Sequence, residues 1–196
     1  MDAMNEVYIC DGKFVFDSSD PSVGTTLIYE DYRGTNAGIM ADYLPRDEQN
    51  ALLSNTIFVF RFNTDGKLKT QSAILKKQEK IKGLQTEFFT SFYHFINNGK
   101  VTLIFNDNIK NIDNKSRKIA DPFKTTTVIA SVDENGTVSK IPGNEFNTEK
   151  MYFFSPKLTK KLDNNTFIIC KSAASVNTMT SQYYPIVLKF GTLTIK

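Results

Sequence analysis

Apolar and polar residues alternate along this chain in short runs, and one run recurs. Thr26-Leu27-Ile28-Tyr29-Glu30-Asp31, Thr102-Leu103-Ile104-Phe105-Asn106-Asp107 and Thr166-Phe167-Ile168-Ile169-Cys170 share a Thr followed by apolar residues. Alternation of this kind predicts half-buried strands. Each run precedes a polar loop and then a predicted hairpin: Phe58 to Leu68, Val128 to Val138, and Ile186 to Leu193. Asp65-Gly66 and Asn135-Gly136 supply the positive φ that a tight turn needs.

Between these landmarks the reading is less uniform. Phe14 to Asp17 reads as a strand, and Asp17 to Gly24 as turn chemistry with Pro21 and Gly24. Asp31 to Asn55 reads as a long polar segment, with a helical turn or two over Asp47 to Leu53. Ser72 to Lys82 fits a short amphipathic helix or an exposed edge strand guarded by lysines. Further strands are expected at Phe88–Ile96, Lys100–Asn106, Thr125–Val132, Thr137–Ile141, Met151–Ser155 and Thr166–Lys171, with the last hairpin turning near Gly191.

A repeat of several tens of residues implies a modular β architecture. Antiparallel four-stranded units in this rhythm resemble β-propeller blades, from about Phe14 to Ile195. The likeness lies in architecture and rhythm, without the WD or kelch signatures. The expected fold is therefore all-β: one domain of about three repeats, approximately residues 14–82, 87–143 and 150–196, propeller-like or part of a propeller. A β-sandwich is the alternative. Propellers close with four or more blades, so three would leave apolar sheet faces uncovered at the first and last units. Self-association near Phe14–Phe16 and Leu188–Ile195, or additional blades, is the expected remedy.

Composition narrows the function classes. A hydrophobic content of 40%, with 16 Phe, suffices for a core. A net charge of +3 argues against a nucleic-acid partner, which needs a concentrated basic face. No apolar run is long enough for a membrane-spanning helix. The start Met1-Asp2-Ala3-Met4-Asn5 has no signal-peptide pattern, so the chain is expected to be cytoplasmic, or secreted or periplasmic if a signal was removed. With 2 Cys and 1 His no zinc-type cluster is expected, and no cofactor. Cys10 and Cys170 read as buried thiols, with an end-to-end disulfide as the weaker alternative.

The candidate site lies at the ends of the repeated strand. Asp31 and Asp107 occupy matching places, and Arg33 and Asp42 follow nearby. Such a cluster would meet a ligand at the loop end. Paired carboxylates there could also do acid–base work on a glycoside. The bland explanation is that Asp and Asn end strands because they begin turns. His94, inside Phe92-Tyr93-His94-Phe95, reads as structural for want of a nucleophile motif. The basic groups Lys76, Lys77, Lys80, Lys82, Lys115, Arg117, Lys118, Lys157, Lys160 and Lys161 read as a solvated face. The leading expectation is a non-enzymatic binding or scaffold module that engages a protein or glycan through long loops. The alternative is a carboxylate-dependent glycoside-active enzyme.

Overall fold

In a computed structural model the chain forms antiparallel sheets joined face to face. The structure describes residues 13–17, 24–36, 50–81, 89–97, 99–113, 115, 118, 120, 125–143, 152–163, 166–173, 176–177, 182–183 and 187–194.

The first sheet runs β1 (Lys13–Asp17), β2 (Thr25–Asn36), β3 (Asn50–Phe62) and β4 (Leu68–Ile74), with β5 (Gln78–Ile81) also on β3. β4 pairs the second half of β3 and β5 the first half. The second sheet is a meander of β6 (Phe92–Asn97), β7 (Lys100–Asp107), β8 (Thr126–Val132) and β9 (Val138–Pro142). Pro142 sits on an edge strand, where its missing N–H costs no ladder bond. The third sheet centres on β12 (Thr166–Ala173). β10 (Tyr152–Phe154) and β11 (Lys160–Lys161) pair with β12, as does β15 (Val187–Thr194). A small hairpin, β13 (Val176–Asn177) with β14 (Gln182–Tyr183), lies between β12 and β15 in the chain.

Period-2 alternation decides how the sheets stack. Ile28, Ile57, Val59 and Ile74 of the first sheet share one core with Val101, Leu103, Phe105, Val128, Ala130 and Val132 of the second. The opposite face of the second sheet offers Ile104, Phe95, Tyr93 and Ile129 to Phe154, Phe167, Ile169 and Leu193 of the third. The second sheet is therefore the middle layer, which is why every residue of β7 from Val101 to Asp107 is buried. A strand covered on both faces loses the polar half of its alternation. No closed barrel or propeller ring forms among the described residues.

Both Gly-containing hairpins close alike. Gly66 N donates to Asn63 O at 2.9 Å and Asn63 N to Lys67 O at 2.8 Å. Gly136 N donates to Asp133 O at 3.0 Å and Asp133 N to Thr137 O at 3.1 Å. Gly66 and Gly136 have φ of +79° and +81°, as Asp-Gly and Asn-Gly turns require.

Four expectations are corrected. The expected polar segment from Asp31 is strand as far as Asn36, and strand resumes at Asn50. The helical turn expected up to Leu53 is therefore strand from Asn50 on, while residues 47–49 lie outside the described residues. The third hairpin does not turn at Gly191, since β15 runs straight through it, pairing Gly191 with Ile169. A lone Gly without Asn or Asp beside it lacks turn chemistry. Finally, of the two readings of Ser72 to Lys82 the edge strand holds and the helix does not: Ser72 to Ile81 belongs to two edge strands with a break between, and is not wholly exposed. Cys170 is a free, buried thiol, and Cys10 lies outside the described residues.

Candidate functional site

The alternation of β4 continues past its end. Ile74, Lys76 and Gln78 are each 0% exposed, so a lysine and a glutamine follow an isoleucine into the interior. There they meet Glu30 from β2 and Ser54 from β3, at 0% and 1% exposure. Lys76 Nζ lies 2.5 Å from Glu30 Oε1. It also donates to Gln78 Oε1 at 2.8 Å and to Ser54 Oγ. Ser54 Oγ donates to Glu30 Oε1 at 2.7 Å. Burial pushes the Lys76 ammonium below its ordinary range, and the charge of Glu30 opposes that shift.

The second sheet completes the cluster. Ser91, just before β6, donates Oγ to Glu30 Oε2 at 2.9 Å and its backbone N–H to Gln78 Oε1 at 2.9 Å. Its φ of +77° is the only positive value at a described non-glycine residue. Those two bonds hold a serine in a conformation that L side chains disfavour. Gln78 Nε2 donates onward to Asn106 O at 2.6 Å. Asn106 Nδ2 donates to Phe89 O at 2.9 Å and Phe154 O at 2.6 Å, and its Oδ1 accepts from Phe154 N at 3.2 Å. One polar chain thus links all three sheets, from the middle of β2 to the ends of β7 and β12.

Asp107 closes β7 beside this chain and is 1% exposed. Its Oδ1 accepts from Asn108 N at 2.8 Å and Asn111 Nδ2 at 2.7 Å. Its Oδ2 is buried without a hydrogen-bond partner. Burial pushes the carboxyl up to about 6, against the hydrogen bonds from Asn111 and Asn108 and the charges of Lys140 and Lys76, which pull it down. Lys140 anchors the neighbouring backbone, donating to Asn111 O at 3.1 Å and to Leu75 O. Asn111 is in turn locked by Lys118, donating to its O at 2.8 Å and accepting from its N at 2.7 Å.

No protein-family model, curated protein or solved structure matches this chain. The chemistry of the cluster must be judged on its own geometry. It holds two carboxylates, an ammonium and two serine hydroxyls, enough in kind for acid–base work. All are buried, and Glu30, Lys76, Ser54 and Ser91 satisfy one another.

Among the four sequence-predicted site residues, Asp107 is the one whose side chain is described. Asp31 lies within β2 at a register shift between Glu30 and Tyr32, and Arg33 pairs with Leu53 in backbone register. Asp42 lies outside the described residues. Lys76, expected to be solvated, is instead wholly buried. The signal for it was present: counting by two from Ile74 reaches Lys76 and Gln78. Alternation also sends His94 to the face of Phe92, opposite Tyr93 and Phe95. No cluster of three or more His, Cys, Asp or Glu suited to a metal ion occurs among the described residues.

Proposed function

We propose that this chain is a non-enzymatic scaffold and binding module, a propeller-like stack of blades that meets a protein or glycan through loops at one end. One observation carries the reading. The groups best able to do chemistry are paired with one another between sheets, where they fasten the layers and meet no solvent. The segments proposed to meet that partner are the long connections after β2, β7 and β12, residues 37–49, 108–125 and 174–186. Asp31, Arg33 and Asp42 are the proposed polar contacts, with Asp107 holding the start of the connection after β7 through Asn108 and Asn111. Long connections on a rigid scaffold are the usual place for recognition.

The second reading, a carboxylate-dependent glycoside-active enzyme, draws on the raised carboxyl of Asp107 and its unpartnered Oδ2. A glycan array and a panel of chromogenic glycosides, run on the full chain, separate the two. Binding weakened by Arg33→Ala, with no turnover, is the expected result. Turnover abolished by Asp107→Asn in a folded variant would establish the enzyme instead.

A further inference from the structure

Stacking in this molecule has a direction. One face of the first sheet, bearing Ile28 and Val59, packs on the face of the second that bears Leu103 and Ala130. The other face of the second, bearing Ile104 and Ile129, packs on the face of the third that bears Phe167 and Leu193. Naming these faces front and back, each front covers the next back. Ile28, Ile104 and Ile168 then hold the same front position on β2, β7 and β12. Leu27, Leu103 and Phe167 hold the same back position.

Among the described residues, two faces are left without a covering sheet. On the front of the third sheet Ile168 pairs with Thr192, and Cys170, itself wholly buried, pairs with Phe190, so the open part of this face lies along β15. Phe190 is 65% exposed, and Leu188, two residues away on the same face, is 41% exposed. On the back of the first sheet Leu27 pairs with Phe60 and Tyr29 with Phe58. Tyr29, Phe58 and Phe60 form a run of stacked rings 6.2 Å apart, and all four residues keep part of their surface in solvent. None of these named side chains is charged; the exposed Lys160, opposite Ile168 on β11, marks the edge of the front face. Their counterparts on the second sheet, Leu103, Phe105, Val128 and Ala130, are 0–1% exposed because another sheet covers them.

We propose that the two faces are halves of one interface, and that a second copy of this chain docks head to tail. The front of the third sheet in one molecule would seat on the back of the first sheet in the next. The partner is argued from the fold's own repetition: that pair of faces restates the two junctions already made inside the chain. Such a contact is heterologous, so it closes a ring or extends further. It is independent of which ligand, if any, the loops bind.

Sedimentation equilibrium of the full chain, from about 1 μM to about 100 μM, tests this. The wild type should associate with a dissociation constant of about 10 μM or tighter. Phe190→Lys and Phe58→Lys should each weaken association by about thirtyfold or more, since each puts a charge into an apolar contact. Mixed together, the two variants should form a 1:1 dimer and stop there, because one retains an intact back and the other an intact front. Circular dichroism checks that each variant folds. If either lysine variant does not, Phe190→Thr and Phe58→Thr carry the same test with a strand-compatible side chain. A wild type that stays monomeric throughout would overturn the proposal. So would association surviving either substitution alone, or a mixture that fails to pair.

Discussion

The two junctions between sheets use the same place on the strand and opposite chemistry. Glu30 on β2 and Asn106 on β7 stand at equivalent positions, four residues after Thr26 and Thr102, and each reaches the next sheet. Glu30 brings a charge, and a buried charge needs company. It is met by Lys76, Ser54 and Ser91, with Ser91 held at an unfavourable φ. Asn106 is neutral and bonds directly to the backbone of Phe89 and Phe154. An amide carries donors and acceptor together, so it grips two peptide groups without a counter-ion. At the third equivalent position Cys170 donates to the adjacent Lys171 O within its own sheet, and its cross-strand partner is the apolar Phe190. One scaffold position therefore accepts an ion pair, an amide or a thiol, and the surroundings differ accordingly.

The largest expected effect breaks the charged junction. Lys76→Met leaves Glu30 buried without its cation and should cost about 3–5 kcal/mol in urea unfolding. Glu30→Gln added to it should restore part of that loss. A Lys76→Met protein as stable as wild type would show that the ion pair holds nothing together. At the amide junction, Asn106→Ala strands two carbonyls and an N–H and should cost about 2–4 kcal/mol. A cost above that of Lys76→Met would reverse the ranking of the junctions.

Asp107, placed between them, sharpens the comparison through pH. Its folded carboxyl titrates at about 6, above the ordinary value of about 4 for an unfolded Asp. Between those values the folded state binds the extra proton, so stability is greatest below about pH 4 and falls as pH rises to about 6. The loss from this group is about 3 kcal/mol. Asp107→Asn keeps an oxygen for Asn108 and Asn111 and removes the charge. Its stability relative to wild type should therefore rise between pH 4 and pH 7. Parallel pH profiles for the two proteins would refute the assignment.

The smallest effect compares the two hairpins. Gly66→Ala and Gly136→Ala each force a side chain into positive φ, at about 1 kcal/mol. A Cβ on Gly66 meets open space, whereas one on Gly136 would lie 3.1 Å from Ser72 Oγ and from Thr70 Cβ. Ser72 Oγ also donates to Gly136 O at 2.6 Å, tying that hairpin to the first sheet. Chemical denaturation should rank Gly136→Ala as the more damaging, and equal losses would mean that contact yields freely.

Much of the strand pattern was legible because alternation and turn chemistry are local. The segments around Ile28, Ile104 and Ile168 are strands in three different sheets, and Gly66 and Gly136 turn where Asp-Gly and Asn-Gly say they should. Gly191 misled because a glycine inside a strand resembles a turn until its partner Ile169 is known. The candidate site was less legible. Asp107 was singled out by position, but Lys76, Gln78 and Ser91 were not, since lysine is usually solvated and nothing local marks a serine for positive φ.

By itself the sequence determined that the chain is strand-rich and antiparallel, where two hairpins turn, and which residues share a face. These follow from neighbours within a few residues. Which face meets which sheet was decided only in the tertiary structure, and with it the burial of Lys76 and the raised carboxyl of Asp107. The reason is physical: the cost of burying a charge depends on partners brought from Glu30, 46 positions away from that lysine, and from Ser54 and Gln78, and no local pattern records their approach.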